Sequence, residues 1–124
     1  MLSSRPKLRK SSEFRSVYEG GKRLDGRFMT AFVRRNDSGH HRLGITASKR
    51  VARRAVDRNR MKRVLREMFR LSEITLQALE PHYDWVLNAK RSLLKVKLAD
   101  SLEDFQKIAA TIARDGRDRR SLNE

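Results

Sequence analysis

The sequence predicts a small α+β domain, a two-layer α/β sandwich with elements in the order α-β-β-α-β-α. Three observations predict it. The chain has 124 residues, one domain's worth. Arg27–Arg34, Arg42–Ser48 and Tyr83–Lys90 are rich in β-formers or alternate apolar and polar residues. The stretches after Ser11, Arg54 and Asp100 instead repeat apolar residues at helical spacing. A domain of this size buries roughly two-thirds of its unfolded surface and needs no metal or disulfide staple. The absence of Cys excludes a disulfide framework and any thiolate zinc site, and suits a reducing compartment. The start, MLSSRPKLRK, has no apolar signal region, and no run of about 18 apolar residues follows. A soluble cytoplasmic protein with no membrane partner is the expectation.

Taken in order, residues 1–10 are basic, contain Pro6 and read as an irregular arm. Residues 11–113 read as the single domain. Ser11 or Ser12 is placed to cap the first helix, and Glu13 suits its first turn. Phe14, Val17 and Tyr18 share one face, and Gly20-Gly21 ends the helix. Lys22 to Asp25 form a turn or a short edge strand. Arg27–Arg34 is a strand apolar on both faces, and Asn36-Asp37-Ser38-Gly39 is a turn. In Arg42–Ser48, Leu43, Ile45 and Ala47 face one way and Gly44, Thr46 and Ser48 the other. These two strands are expected to form a hairpin. A basic helix then begins near Arg54 or Val56 and runs to about Leu71. Ser72 is placed to cap a short helix through Leu79, ended by Pro81. Tyr83–Lys90 is the third strand, with Trp85, Leu87 and Ala89 on one face. Asp100 and Glu103 have capping-box spacing for a last helix with the stripe Leu102, Phe105, Ile108, Ala109 and Ile112. The tail, residues 114–124, has mixed charge and no apolar anchors, so it is expected to fray.

Charge is the strongest functional signal. The net charge is +15. Residues 1–48 carry +7 and residues 49–70 carry +8, whereas 71–113 carry −1 and 114–124 carry +1. Ten of the twenty-two residues from Lys49 to Arg70 are Lys or Arg, against Asp57 and Glu67. On a helical wheel Met61, Val64, Leu65, Met68 and Phe69 fall on one arc. Arg58, Asn59, Lys62, Arg63, Arg66 and Arg70 spread over the other. Solvated faces normally mix signs, and so many like charges repel unless a polyanion relieves them. Eight of the ten cations are Arg, whose planar fork holds phosphate bidentately and stacks on bases. Nucleic acid is therefore the expected partner. Asn59, in the middle of that face, is either a reader of a base edge or 2′-hydroxyl, or an ordinary surface residue.

Phe14 and Tyr18 admit two readings: core residues, or aromatic platforms in a groove where unpaired bases stack. Catalytic signals are weak. His40-His41 lies in a predicted loop without His-x-Glu or His-x-x-x-His spacing, the carboxylates are scattered, and there is no P-loop or GxSxG. No catalytic and no metal-ligating residue is assigned.

RLGITASKRVARRAV followed by DRNRMKRVLREMFR resembles a known pattern. Arg58-Asn59-Arg60 with Lys62-Arg63 and Arg66-Glu67 is similar to the RNR signature of the bacterial ribonuclease P protein component family. Gly44 to Arg50 resembles that family's strand-to-helix lead-in, and Leu8 to Phe14 with Val17-Tyr18 its first helix. The resemblance covers roughly residues 7–113. It implies a ribosomal-protein-S5-domain-2-like fold with a left-handed βαβ crossover through the basic helix. It also implies the protein subunit of a ribonucleoprotein endoribonuclease, whose catalytic RNA removes the 5′ leader of precursor tRNA with Mg²⁺ bound in the holoenzyme. The family pattern places Lys49, Arg50, Arg58, Asn59, Arg60, Lys62, Arg63 and Arg66 against RNA, and Arg53 and Arg70 join the expected RNA-binding set as neighbouring cations of the same stretch. It places Phe14 and Tyr18 in a leader-binding groove. It requires no cofactor held by protein side chains alone and no obligate protein partner. One departure stands out: Ala52-Arg53-Arg54 occupies the place of a Gly-Asn or similar small pair in many members.

Two rivals remain. A ribosomal or other structured-RNA-binding protein shares the charge and size but not the basic helix with its matched lead-in. A helix-turn-helix DNA binder shares the helix, but strands before and after it are the wrong context.

Overall fold

Two strands of this chain are apolar on both faces, and they take the centre of the sheet. The computed structural model describes residues 7–79 and 81–123, with side chains through Asp115. Helix α1 (Ser11–Gly20) leads to strands β1 (Lys22–Asp25), β2 (Met29–Arg35) and β3 (Arg42–Thr46). Helices α2 (Ala55–Leu71) and α3 (Glu73–Gln77) precede β4 (Tyr83–Ala89), a 3₁₀ turn over Arg91–Lys95, and α4 (Leu98–Asn123). Residues 1–6 of the predicted arm, Glu80 and the final residue of the predicted tail lie outside the described residues. The fold is the α+β class that the sequence predicts, with Lys22–Asp25 taking the edge-strand alternative.

The strand order is β1-β2-β4-β3, which corrects the expected hairpin. β2 pairs antiparallel with β1 and β4, while β3 pairs with β4 in parallel. The reason is burial. In β4, Trp85 and Leu87 are fully buried on one face and Val86 on the other, so this strand needs a neighbour on each side. β3 carries Arg42, Gly44 and Thr46 on one face and tolerates an edge. The parallel pairing makes β3-α2-β4 a crossover unit through the basic helix. Lys7 forms a parallel bridge to Leu43, and the Leu8 N–H donates to its carbonyl at 2.9 Å, so the N-terminal approach lies along the β3 edge.

The main core fills one side of the sheet. Met29, Ala31, Val33, Trp85, Leu87 and Ala89 meet Met61, Leu65, Met68 and Phe69 of α2. Phe105, Ile108, Ala109 and Ile112 of α4 complete it, so both predicted helical stripes are realised. On the other side Val17 and Leu8 pack on Val86, with Phe14 and Phe32 beside them. Gly44 permits that approach, because a Cβ there would stand 2.6 Å from the Phe14 ring. Gly39, at φ +84°, supplies the left-handed residue of the turn before β3.

The helix ends depart from prediction. Neither Ser11 nor Ser12 caps α1; the Glu13 carboxylate accepts the N–H groups of Arg9 and Lys10 at 3.0 and 2.9 Å. An ionised carboxylate is the stronger acceptor for two N–H donors at once. Ser72 does not cap α3 with its side chain: it is buried and donates back to the Met68 carbonyl at 2.8 Å. α4 starts at Leu98, ahead of Asp100, because the 3₁₀ turn anchored by buried Leu93 delivers the chain into the helix early. Its backbone stays helical to Asn123, past the predicted start of a frayed tail, and an ion pair joins Lys22 to Asp115.

His41 ties the loop before β3 to two other elements. Its Nδ1 accepts from the Tyr83 N–H and the Trp85 Nε1–H, both at 3.1 Å, so Nε2 carries the proton and donates to the Leu76 carbonyl at 2.9 Å. Burial pushes its pKa below the ordinary 6.5, with the nearby His82 and His40 acting in the same direction. The unfolded chain therefore binds this proton more readily than the fold does. The stabilisation is complete above the unfolded value and declines as pH falls through it toward the depressed folded value. The melting temperature, followed at Trp85, should drop between pH 7.5 and 5.5. His41→Gln should lower it at pH 7.5 and flatten the dependence; an unchanged slope would assign the titration elsewhere.

Candidate nucleic-acid interface

Helix α1 crosses only part of its sheet face, and the uncovered part forms a cleft of about 510 Å³. Arg9, Ser11, Phe14, Arg15, Tyr18 and Thr46 line it. Register places Thr46 there: it pairs with Asn88 of β4, which pairs in turn with Thr30 of β2, all on the α1 side of the sheet. The two readings of the aromatic pair now separate. Phe14 is half-buried and packs with the small core, while also reaching the cleft. Tyr18 is 38% exposed, stands edge-on to Phe32 at 4.8 Å, and donates its hydroxyl to Asn88 Oδ1 at 3.0 Å. Tyr18 is thus the exposed member of the pair, its ring held at two points. The Arg23 guanidinium lies 5.9 Å from the Phe32 centroid, adding a cation on the β1 side.

The seat of α1 on the sheet is fixed by charge. Arg42 donates through Nε and Nη2 to the two oxygens of Asp84, both at 2.7 Å, and through Nη1 to Glu13 at 3.3 Å. Asn36 adds a bond to Asp84 at 2.7 Å. Asp84 is buried, so this fork is its neutralising partner. The hydrogen bond from Arg42 to Asp84 raises the Arg42 pKa. Backbone N–H groups of Lys10 and Arg9, then the Arg42 charge, hold Glu13 below the usual carboxylate range. One guanidinium thus binds the start of α1 to β3 and β4.

The predicted basic residues divide into held and free. Arg58 donates through Nη1 to the carbonyls of Ala52 and Arg53 at 3.0 and 2.7 Å, closing the lead-in loop on the helix. Arg60 donates to the Leu94 carbonyl, and Arg70 pairs with Glu67. Arg53 is exposed, as are Lys49 and Arg50, and the Arg50 carbonyl accepts from Arg91 at 2.9 Å. Lys62, Arg63 and Arg66 have no intramolecular partner among the described residues, nor does Asn59. A second cleft of about 560 Å³ lies beside Arg63 and Arg66, walled by His40, His41 and His82. Three elements escaped sequence reasoning: Asn88, Thr46 and Arg91. The one available signal was an Asn inside an otherwise apolar strand, a residue depleted there.

Among the described residues no three His, Asp or Glu side chains are grouped to hold a metal ion. No helix among them is long and apolar enough to cross a membrane.

Comparison with known proteins gives a consistent result. The family model described as Ribonuclease P matches residues 2–113. A ribonuclease P protein component of Coxiella burnetii is 36% identical over 108 residues, covering 87% of this chain and 86% of its own. Among solved structures, the RNase P protein of Staphylococcus aureus superposes with a TM-score of 0.73 at 22% identity, covering 87% of this chain and 95% of its own. That of Thermotoga maritima gives 0.72 at 25%, covering 85% and 96%.

Removing the charge fork should be costly. Arg42→Met leaves Asp84 buried without its cation and should destabilise the fold by about 1.5–3 kcal/mol. Adding Asp84→Asn should recover part of that loss, because the uncompensated charge goes too. Denaturant melts of both single variants and the double variant give the coupling; additive losses would show that the pair does not act as a unit.

Proposed function

The chain belongs to the ribonuclease P protein family, and from that premise we propose how this subunit works: α2 and its lead-in bind the catalytic RNA, and the cleft under α1 holds the 5′ leader of precursor tRNA. The observation that carries this reading is the separation of two surfaces. One presents the unpartnered cations Lys62, Arg63 and Arg66 on a rigid helix. The other is a cleft with one exposed ring, Tyr18, and flanking Arg9 and Arg15. The first suits a structured polyanion, the second a single strand whose bases can reach an aromatic face.

In this reading the cytoplasmic RNA subunit performs the cleavage, and the protein contributes binding and orientation. Arg58 and Arg60 hold the lead-in and the 3₁₀ turn against α2. Lys49, Arg50 and Arg53 extend the cationic surface from the end of β3 toward α2. Arg9 and Arg15 neutralise leader phosphates as Tyr18 stacks on a base. Mg²⁺ bound in the assembled complex would supply the metal-activated water for hydrolysis, and in this reading its ligands come from the RNA.

Two measurements test the two surfaces separately. Arg63→Ala or Arg66→Ala should weaken binding to the catalytic RNA and lower the slope of log affinity against log salt by about one. The melting temperature should stay nearly constant, since neither side chain has an intramolecular partner. An unchanged slope with a collapsed melt would make these residues structural.

Tyr18→Ala should weaken precursor tRNA binding to the reconstituted complex by roughly five- to 150-fold, corresponding to about 1–3 kcal/mol for one stacking platform. Mature tRNA and the catalytic RNA should bind nearly as before. Equal losses for precursor and mature tRNA, with a lowered melt, would return Tyr18 to a packing role.

A further inference from the structure

Asn88 is a polar amide in the middle of a strand whose neighbours Trp85, Val86, Leu87 and Ala89 are all buried. It is half-buried on the α1 side of the sheet, between Thr30 and Thr46 in register and bonded to Tyr18 and Thr46, which line the α1 cleft. Two hydroxyls converge on its carbonyl oxygen: Thr46 Oγ1 donates to Oδ1 at 2.7 Å and Tyr18 Oη at 3.0 Å. An amide oxygen has two lone pairs, and both are taken. The neighbouring Thr30 hydroxyl donates to Asp25 at 2.9 Å and makes no bond to the Asn88 amide. The Nδ2 amino group, with two N–H donors, has no protein partner among the described residues. Its two N–H groups are therefore free to donate to a ligand.

We propose that Asn88 is a donor-only reader of the leader base that stacks on Tyr18, and that it favours keto bases, uracil or guanine, over amino bases, cytosine or adenine. An unrestrained Asn offers a donor and an acceptor together, the pattern that matches adenine. Here the acceptor is consumed inside the protein, so adenine loses that advantage. What remains complements O4 of uracil or O6 of guanine, the positions at which cytosine and adenine carry an amino group. An exocyclic amino group at the same place would meet another amino group. Tyr18 thus has a double role, as the stacking surface and as one of the two groups that fix the polarity of the amide. This inference rests on the leader occupying the cleft and adds to that reading a base preference at one position.

The test uses the complex reconstituted with its catalytic RNA. Precursor tRNAs differ only in the base at one leader position, each position in turn, and mature tRNA serves as the leaderless reference. At one position U or G should bind roughly two- to tenfold more tightly than C or A, the range for a single hydrogen bond. Asn88→Asp keeps the shape and replaces the donor with an acceptor. It should weaken every leader through its charge and move the preference toward C and A. Thr46→Val and Tyr18→Phe each return a lone pair to Oδ1 and should flatten the preference, so the inference does not depend on one variant folding. A melt at Trp85 confirms that each variant is folded. Precursor preferred over mature tRNA but indifferent to leader base, or a preference that survives Asn88→Asp unchanged, overturns the role of Asn88 and leaves the leader site standing. Equal binding of precursor and mature tRNA by the wild-type complex overturns both.

Discussion

Strand β4 has no face that can be left wet. Trp85 and Leu87 fill the main core and Val86 the small one, so β4 must have a strand on each side. β2 supplies the antiparallel partner and β3 the parallel one, and the second pairing arranges the rest. Parallel neighbours need a crossover, which places α2 on the main-core side with its apolar stripe inward. Parallel neighbours also end together. Thr46 and the Lys49-Arg50 lead-in leave β3 where Asn88, Lys90 and Arg91 leave β4. The Thr46 end of the cleft and the start of the basic surface therefore lie at one edge because of strand direction.

The same sheet keeps its two sides chemically distinct. One side is dry and holds the large aromatic and Met residues against α2 and α4. The other is only partly roofed, and its order is kept by polar groups: the Arg42 fork on Asp84 and Glu13, and the hydroxyls on Asn88. Hydrogen bonds and ion pairs hold a helix at a defined place without filling the space beneath it. A purely apolar contact would have closed the cleft, since apolar surfaces gain by complete contact. Gly44 lets α1 approach at one end, and the polar ties hold the gap open at the other.

The sequence made the elements legible because periodicity is local. The stripe Met61, Leu65, Met68 and Phe69 located α2 to within a residue, and alternation located β4. Strand neighbours were not legible, because the choice between β2 and β4 as partner of β3 depends on burial summed over the whole sheet. Caps failed for a related reason: a Ser beside a helix start competes with Glu13, and the winner depends on where Arg42 sits. At the site, the cationic face of α2 and the Phe14–Tyr18 pair were readable as residue types. Which Arg is already bonded to a carbonyl was not, since Ala52 and Leu94 carry no sequence mark of accepting one. The family match and the related structures agree with the basic-helix reading and set the ribosomal and helix-turn-helix alternatives aside.

Those carbonyl bonds have a further consequence. Arg58 and Arg60 each use part of a guanidinium to grip the backbone, and the carbonyl neutralises no charge. The positive charge is therefore kept in full while the long side chain gives up rotamer freedom during folding instead of at association. A free surface Arg must be immobilised when it meets phosphate, at about 0.5–1.5 kcal/mol per side chain. The middle of this helix thus mixes two kinds of cation: Arg58 and Arg60, already ordered by the backbone they grip, and Lys62, Arg63 and Arg66, which have no partner among the described residues and would meet that cost only on binding an anion.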